Sequence, residues 1–159
     1  MSYRVGIGYD IHRLVQGRPL VLGGVTFPSE RGLEGHSDAD VLLHALGDAL
    51  LGAASLGDLG RHFPPGDPVW KDASSLELLR QIRRMLERRG ARIVNVDSTV
   101  VAEAPRVAPA REAMCANIAG ALGIETGQIS IKATTNETLG SLGRAEGIAA
   151  WAVAMLELA

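Results

Sequence analysis

The chain has 159 residues, a mass of 16.8 kDa, 47% hydrophobic and 21% charged residues, and a formal net charge of −2. That length suits one domain, residues 1–159, with a real core, and the charge excludes a nucleic-acid partner gripped through its backbone. The single cysteine Cys115 excludes an intramolecular disulfide, the N-terminus is no signal peptide, and no apolar run reaches the roughly 20 residues of a membrane helix; a soluble cytoplasmic protein with no membrane partner is expected.

Residues 4–12, RVGIGYDIH, alternate and predict a strand on which Asp10 and His12, two apart, face the same way. QGRP is a turn, and PLVLGGV reads as a strand broken at Gly23-Gly24 by a bulge or hairpin, so that an antiparallel pair opens the fold. Residues 28–35 read as a loop delivering His36 to a helix start, where free backbone amides favour an anion such as phosphate. The helix is predicted from near Asp38 to about Ala54, with Ser37 three residues before Asp40 as its start signal. On it Asp40, His44 and Asp48 recur every fourth residue on one face, beside an apolar flank from Val41 to Leu50.

Residues 55–73 are rich in Gly, Pro and Asp and read as an irregular lid, in which Asp58 and His62 fit solvated loop positions as well as site positions. A second helix starts at Ser74 or Ser75 and ends at Gly90, with Leu76, Leu79, Ile82, Met85 and Leu86 inward. A β-branched strand from about Arg92 to Ala102 stops at Pro105, and a third helix runs from Pro109 to Gly123. GQISIKATT is a short strand entering the polar turn TTNETLGSLGRAEG, whose hydroxyls, Glu137 and Arg144 could grip an anion or a second metal. The last stretch, GIAAWAVAMLELA, reads as a strand buried on both faces. The fold class is therefore α/β of the α+β type, a mixed sheet of four to five strands covered on one face by helices.

Taken singly, Ser37 is a helix cap, Asp40 its capping-box partner, and His44 an ordinary half-buried histidine. Together D-x-H and H-S-D-x-D-x-x-x-H place ligand-type residues at ligand spacing. Asp10, His12 and His44 suit zinc, and three protein ligands leave a fourth position for a substrate oxygen. From the residues alone, a phosphohydrolase using water, or a binding module in which zinc only ties strand to helix, stays open.

The blocks GYDIH, LGG, HSDADVLLHALGDALLGAASLGDLGRHFP, NVDSTVVAEAP, IKATTNETLG and GRAEGIA lie in the order and spacing of one family. The chain resembles the 2-C-methyl-D-erythritol 2,4-cyclodiphosphate synthases from about Tyr3 to its C-terminus. The resemblance implies cyclisation of 4-diphosphocytidyl-2-C-methyl-D-erythritol 2-phosphate with release of CMP, in non-mevalonate isoprenoid synthesis. It implies Zn2+ on Asp10, His12 and His44, and Mg2+ or Mn2+ on Glu137 and the substrate phosphates. His36 and Thr135 become catalytic stabilisers of the transition state, and Asp10, His12, His36 and Ser37 also contact substrate. Asp58, Leu59 and Gly60 fall at the sugar, with Phe63, Pro64, Pro65, Gly66 and Asp67 as the lid. Ala102, Glu103, Ala104, Pro105, Arg106, Val107 and Ala108 form the cytidine pocket with Thr134, and Asp40 and Asp48 lie behind the metal or near the sugar. A homotrimer is implied, its sheets packed around the axis and its active sites shared between subunits. Ser141 and Arg144 then border an axial cavity for an isoprenoid diphosphate; Ser141 departs from the aromatic that members often carry, while Arg144 and Glu146 are kept.

Overall fold

A computed structural model describes residues 1–159. The scaffold is a five-stranded sheet in the order β4-β1-β7-β5-β6, built from β1 (Ser2–Gln16), β4 (Arg31–Leu33), β5 (Ala91–Val101), β6 (Ile129–Thr134) and β7 (Gly147–Leu158). The sheet is mixed: β1 runs antiparallel to both β4 and β7, β7 antiparallel to β5, and only β5 and β6 are parallel. The parallel pair needs a crossover, supplied by α4 (Arg111–Leu122), which ends on left-handed Gly123 as the glycine signal requires. The predicted opening pair is instead a separate small hairpin, β2 (Leu20–Leu22) with β3 (Val25–Phe27), turning at Gly23 and Gly24.

Helix α1 (Val41–Ala53) lies across β1 and β7, and α3 (Ser75–Arg88) packs beside it and α4. Even-numbered residues of β1 face α1 while Val5, Ile7, Tyr9 and Ile11 face out. The helix can settle this closely because that inner row begins with Gly6 and Gly8: a Cβ on Gly6 would stand 2.0 Å from the Ala49 carbonyl oxygen. In β7 the inner row Ile148, Ala150, Ala152 and Ala154 is buried, and its three alanines complete the shallow bed under the helix.

The sequence reading of β7 as buried on both faces does not hold within one chain. Trp151 and Val153, at 40% and 44% exposure, continue the open apolar face of Ile7 and Tyr9, and Tyr9 packs on Trp151 at 4.7 Å between ring centroids. Helices cover one side of the sheet only. Residues 28–35, read as a loop, contain β4, and residues 55–73 contain the short helix α2 (Leu59–His62) and a 3-10 turn at Pro68–Trp70. The polar turn after β6 carries a further short helix, α5 (Gly140–Gly143).

Candidate metal centre

Asp10 and His12 are the next two residues in the inner row after Gly8, so the strand aims both at the start of α1. His44 follows one helical turn behind the cap, next to Ala45, whose carbonyl oxygen would stand 1.9 Å from a Cβ on Gly8. The contact between backbones therefore brings the three side chains together. His12 Nε2 lies 2.8 Å from Asp10 Oδ2 and 3.2 Å from His44 Nδ1, and His44 Nδ1 lies 3.1 Å from Asp10 Oδ2. Bonds of about 2.0–2.1 Å to a tetrahedral zinc set its donors about 3.3 Å apart, so the triangle is slightly tighter than the one zinc would impose.

The outer hydrogen bonds decide what faces inward. His12 Nδ1 lies 2.6 Å from the Glu34 carbonyl, which can only accept, so Nδ1 carries the hydrogen and Nε2 points a lone pair at the cluster. His44 Nε2 faces the hydroxyls of Ser75 at 3.0 Å and Ser37 at 3.2 Å. Neutral His12 thus turns a lone pair toward the Asp10 carboxylate, and His44 Nδ1 faces the same point, an arrangement that a cation would satisfy. The donor set fits a borderline divalent ion, as in the group Asp10, His12 and His44, whose ligand atoms lie within 4.8 Å of one another.

Burial works to raise the Asp10 carboxyl, yet hydrogen bonds and charge from His12 and His44 outweigh it and hold Asp10 well below the usual carboxylate range. Burial works against a charged His12, yet the hydrogen bond and charge of Asp10 raise its pKa above the ordinary value. Both shifts have one origin, the pairing of the Asp10 carboxylate with the imidazoles beside it.

A cleft of about 340 Å³ opens over this cluster, walled by His36, Ser37, Asp48, Leu59, Phe63 and Trp70 among others. Its rim is tied to the metal side: His36 Nε2 donates to the Asp67 carbonyl at 2.9 Å, and Phe63 meets Trp70 edge-on at 4.9 Å. Arg18 clamps the approach to α1 by donating to the carbonyls of Leu33 at 2.7 Å and Ser37 at 2.9 Å. Gly60 and Pro65 also line the cleft, whereas Pro64 and Gly66 are exposed beside it, and Asp58 and Asp67 cap short turns through the amides of Arg61 and Val69.

The start of α1 differs from expectation. Ala39 adopts φ 56°, so the helix begins at Val41 and Asp40, not Ser37, is its N-cap. Asp40 is fully buried and turned away from the cleft, accepting from the amides of Gly23, Gly24 and Leu43 at 2.8–3.2 Å. Burial, with the charge of Asp38 added, pushes its carboxyl up to about 6 despite those amides. Asp48 does reach the cleft, and it also holds the Leu59 amide at 2.8 Å.

The remaining expected site residues form a second group at the ends of β5 and β6. The Ala102 amide donates to the Thr134 carbonyl at 3.0 Å, joining the segment Ala102–Ala108 to the turn Thr134–Thr138. Within the segment Ala102 and Val107 are buried, while Ala104, Arg106 and Ala108 are exposed and Pro105 is half-buried. Glu103 accepts from the amides of Asn136 at 2.9 Å and Thr138 at 3.3 Å and so braces a turn in which Glu137 and Thr138 both take positive φ, 51° and 60°. Thr135 Oγ1 accepts from the Glu137 amide at 3.2 Å, and the Glu137 side chain is exposed. None of this group lines the cleft of its own chain. Ser141 borders a separate cavity of about 230 Å³ with Ile11, Arg13 and Glu146, and Arg144 pairs with Glu146 at 3.3 Å.

Trp70, Leu78, Ser75, Asp38 and Arg18 belong to the site or its support and were not singled out from sequence. Trp70 has a signal, an aromatic that with Phe63 interrupts a Gly- and Pro-rich lid; the others become visible only once distant segments meet.

Fold and cluster together define an α/β protein whose five-stranded sheet and first helix converge on three side chains, Asp10, His12 and His44, that could hold a metal ion. The chain belongs to the YgbB family, whose model matches residues 3–157. It is 63% identical over 152 residues to the 2-C-methyl-D-erythritol 2,4-cyclodiphosphate synthase of Symbiobacterium thermophilum, covering 96% of this chain and 97% of that one. Its fold superposes on the bifunctional IspDF of Campylobacter jejuni with TM-score 0.95 at 41% identity, over 99% of this chain and 43% of that longer one. It matches the IspF of Plasmodium falciparum, solved as a CDP complex, with TM-score 0.85 at 34% identity, over 98% and 96% of the two chains.

Proposed function

We propose that the protein is a 2-C-methyl-D-erythritol 2,4-cyclodiphosphate synthase, a phosphorus-oxygen lyase that closes 4-diphosphocytidyl-2-C-methyl-D-erythritol 2-phosphate into the cyclic diphosphate and releases CMP. The observation that carries the reading is the convergence of Asp10, His12 and His44 at the floor of a cleft, in a chain 63% identical to an enzyme of that name. An oxygen of the 2-phosphate attacks the β-phosphorus, the bond from that phosphorus to the bridging oxygen breaks, and its electrons leave with CMP. No side chain need remove a proton, because the attacking phosphate is already ionised.

Asp10, His12 and His44 would hold Zn2+, and Glu137 would hold Mg2+ or Mn2+. Bound there, the ions supply positive charge that offsets the meeting of two phosphates. His36 and Thr135 stabilise the transition state by hydrogen bonds, with Ser37 beside the phosphate. Asp58, Leu59 and Gly60 orient the sugar, and the Phe63–Asp67 segment excludes the water that would give hydrolysis instead. Holding both ends of one substrate makes closure intramolecular, an advantage of up to roughly 7–11 kcal/mol.

Ala102–Ala108, with Thr134 and Glu137, serve a neighbouring subunit's cleft as its cytidine and second-metal side, in a homotrimer packed through the open sheet face. Two observations support this: the second group does not line its own cleft, and Val5, Ile7, Tyr9, Trp151 and Val153 expose an apolar face of the sheet. Ser141 and Arg144 border the axial cavity, which takes an isoprenoid diphosphate. The enzyme works in the cytoplasm; no helix is long and apolar enough to cross a membrane.

The test is mass spectrometry of the products from the diphosphocytidyl substrate with Zn2+ and Mg2+. Cyclic diphosphate and CMP in equal amounts are expected. Linear phosphates only would replace the reading with a phosphohydrolase.

A further inference from the structure

Ser75 is the first residue of α3 and is buried, 37 positions from Asp38 in sequence, yet the two are doubly joined. The Ser75 amide donates to Asp38 Oδ2 at 2.9 Å, and the Ser75 hydroxyl donates to Asp38 Oδ1. With its hydrogen committed to a carboxylate, Ser75 Oγ can only accept from His44 Nε2, 3.0 Å away. His44 must then carry its hydrogen on Nε2, and Nδ1 is left with a lone pair toward Asp10 and His12.

The alternative tautomer has its own attraction. A hydrogen on Nδ1 would bond the Asp10 carboxylate directly, a charge-assisted contact that closes the cluster on itself and leaves no nitrogen for an ion. Something must oppose it, and Ser37 alone is a weaker candidate, since its Oγ lies 3.2 Å from the ring and already accepts from the Ala39 amide.

We infer that Ser75 and Asp38 are positioning residues that lock His44 in its Nε2–H form and so set the affinity of the centre for zinc. The inference rests on the reading of Asp10, His12 and His44 as a metal centre and extends it to two residues outside that group of three. It also ties the centre to the lid, because the Asp38 amide donates to the Ala73 carbonyl at 3.1 Å and the Asp72 amide to the His36 carbonyl at 2.9 Å.

The experiment is a zinc dissociation constant, measured by competition with a chromophoric chelator, for the wild type, Ser75→Ala, Asp38→Asn and the double variant. Loss of an outer hydrogen-bond partner costs about 10–100-fold in metal affinity, and both single variants should fall in that range. Because the two residues act in series, the double variant should bind no more weakly than Ser75→Ala. In Asp38→Asn an amide hydrogen can face Ser75 Oγ, turning its hydroxyl toward His44 and reversing the chain. A histidine-selective 1H–15N spectrum of the folded, zinc-free wild type at mildly alkaline pH needs no variant and should show His44 protonated on Nε2. Single variants that bind zinc as tightly as the wild type, or a wild-type His44 protonated on Nδ1, would overturn the inference. A wild type that binds no zinc would sink the metal reading itself, a different result from weak binding confined to the variants.

Discussion

Gly8 lies directly beneath Ala45, so close that a Cβ on Gly8 would stand 1.9 Å from the Ala45 carbonyl oxygen and 2.9 Å from the Ala49 amide nitrogen. Both neighbours are helix backbone and cannot turn aside. Gly8→Ala should therefore lift α1 from β1, separating His44 from Asp10 and His12 as well as loosening the core. A loss of about 1–3 kcal/mol or more in denaturant unfolding is expected from overpacking, together with weaker zinc binding in whatever protein stays folded. An unchanged zinc affinity at reduced stability would show that the cluster does not depend on this contact.

Zinc retention should depend on pH in a definite direction. A histidine ligand must be neutral, and in the free cluster Asp10 raises the His12 pKa despite the opposing effect of burial. As pH falls through that raised value a proton displaces the metal from His12, and above it the competition ends. Zinc affinity should therefore climb as pH rises through that raised value and then level off, and the climb should shrink in His12→Ala, whose residual binding is weak throughout. Equilibrium dialysis at several pH values checks this; affinity that is flat with pH would contradict it.

Asp40 offers a test of the fold alone. Its carboxyl is pushed up to about 6 from 3.8, chiefly by burial. A carboxyl raised in the folded state contributes stability that is complete below the unfolded value and lost as pH rises through the folded one. Asp40→Asn places an amide donor against one of the amides of Gly23 and Gly24, at a cost of about 1–3 kcal/mol. In metal-free protein the gap between wild type and Asp40→Asn should thus be wider at pH 4 than at pH 7. Urea unfolding at the two pH values measures it, and a gap that widens with pH would refute the argument.

Much of this site could be read from single segments. Asp10 and His12 share a face because a strand alternates, and His44 falls near them because the helix pattern around it is strong. The capping-box spacing of Ser37 and Asp40 sets the start of that helix too early, while the left-handed turn at Ala39 that shifts the cap to Asp40 leaves no mark in an alanine. The outer face of β7 misleads for a different reason. Hydropathy reports what favours burial, and Trp151 and Val153 do, but the cover is not in the same chain. Ser75 and Asp38 were invisible because their pairing exists only after α3 returns to the start of α1.

That open face makes an assembly prediction. Ile7, at 72% exposure, and Val153 lie on paired positions of β1 and β7, so a charge on each would be buried in any packing through this surface. The wild type should sediment as three chains, and Ile7→Glu with Val153→Lys should shift it toward single chains with helix and strand content preserved. If cleft and cytidine segment belong to different subunits, CMP release should fall with the trimer. A dissociated variant of full activity would break that link.

Trp70 tests the lid. Its ring meets Phe63 at 4.9 Å and walls the cleft above the metal side, without bonding to any of the three metal donors. Removing it leaves the segment held by the His36–Asp67 and His36–Asp72 hydrogen bonds, so Trp70→Ala should fold and keep its zinc. What it should lose is exclusion of water. Closure and hydrolysis compete for the same β-phosphorus, and with a looser wall the linear products should rise from a trace to a measurable share of the total while zinc content stays at the wild-type level. Product analysis by mass spectrometry separates the two fates. A variant that turns over more slowly yet yields only cyclic product would assign Trp70 to substrate positioning instead.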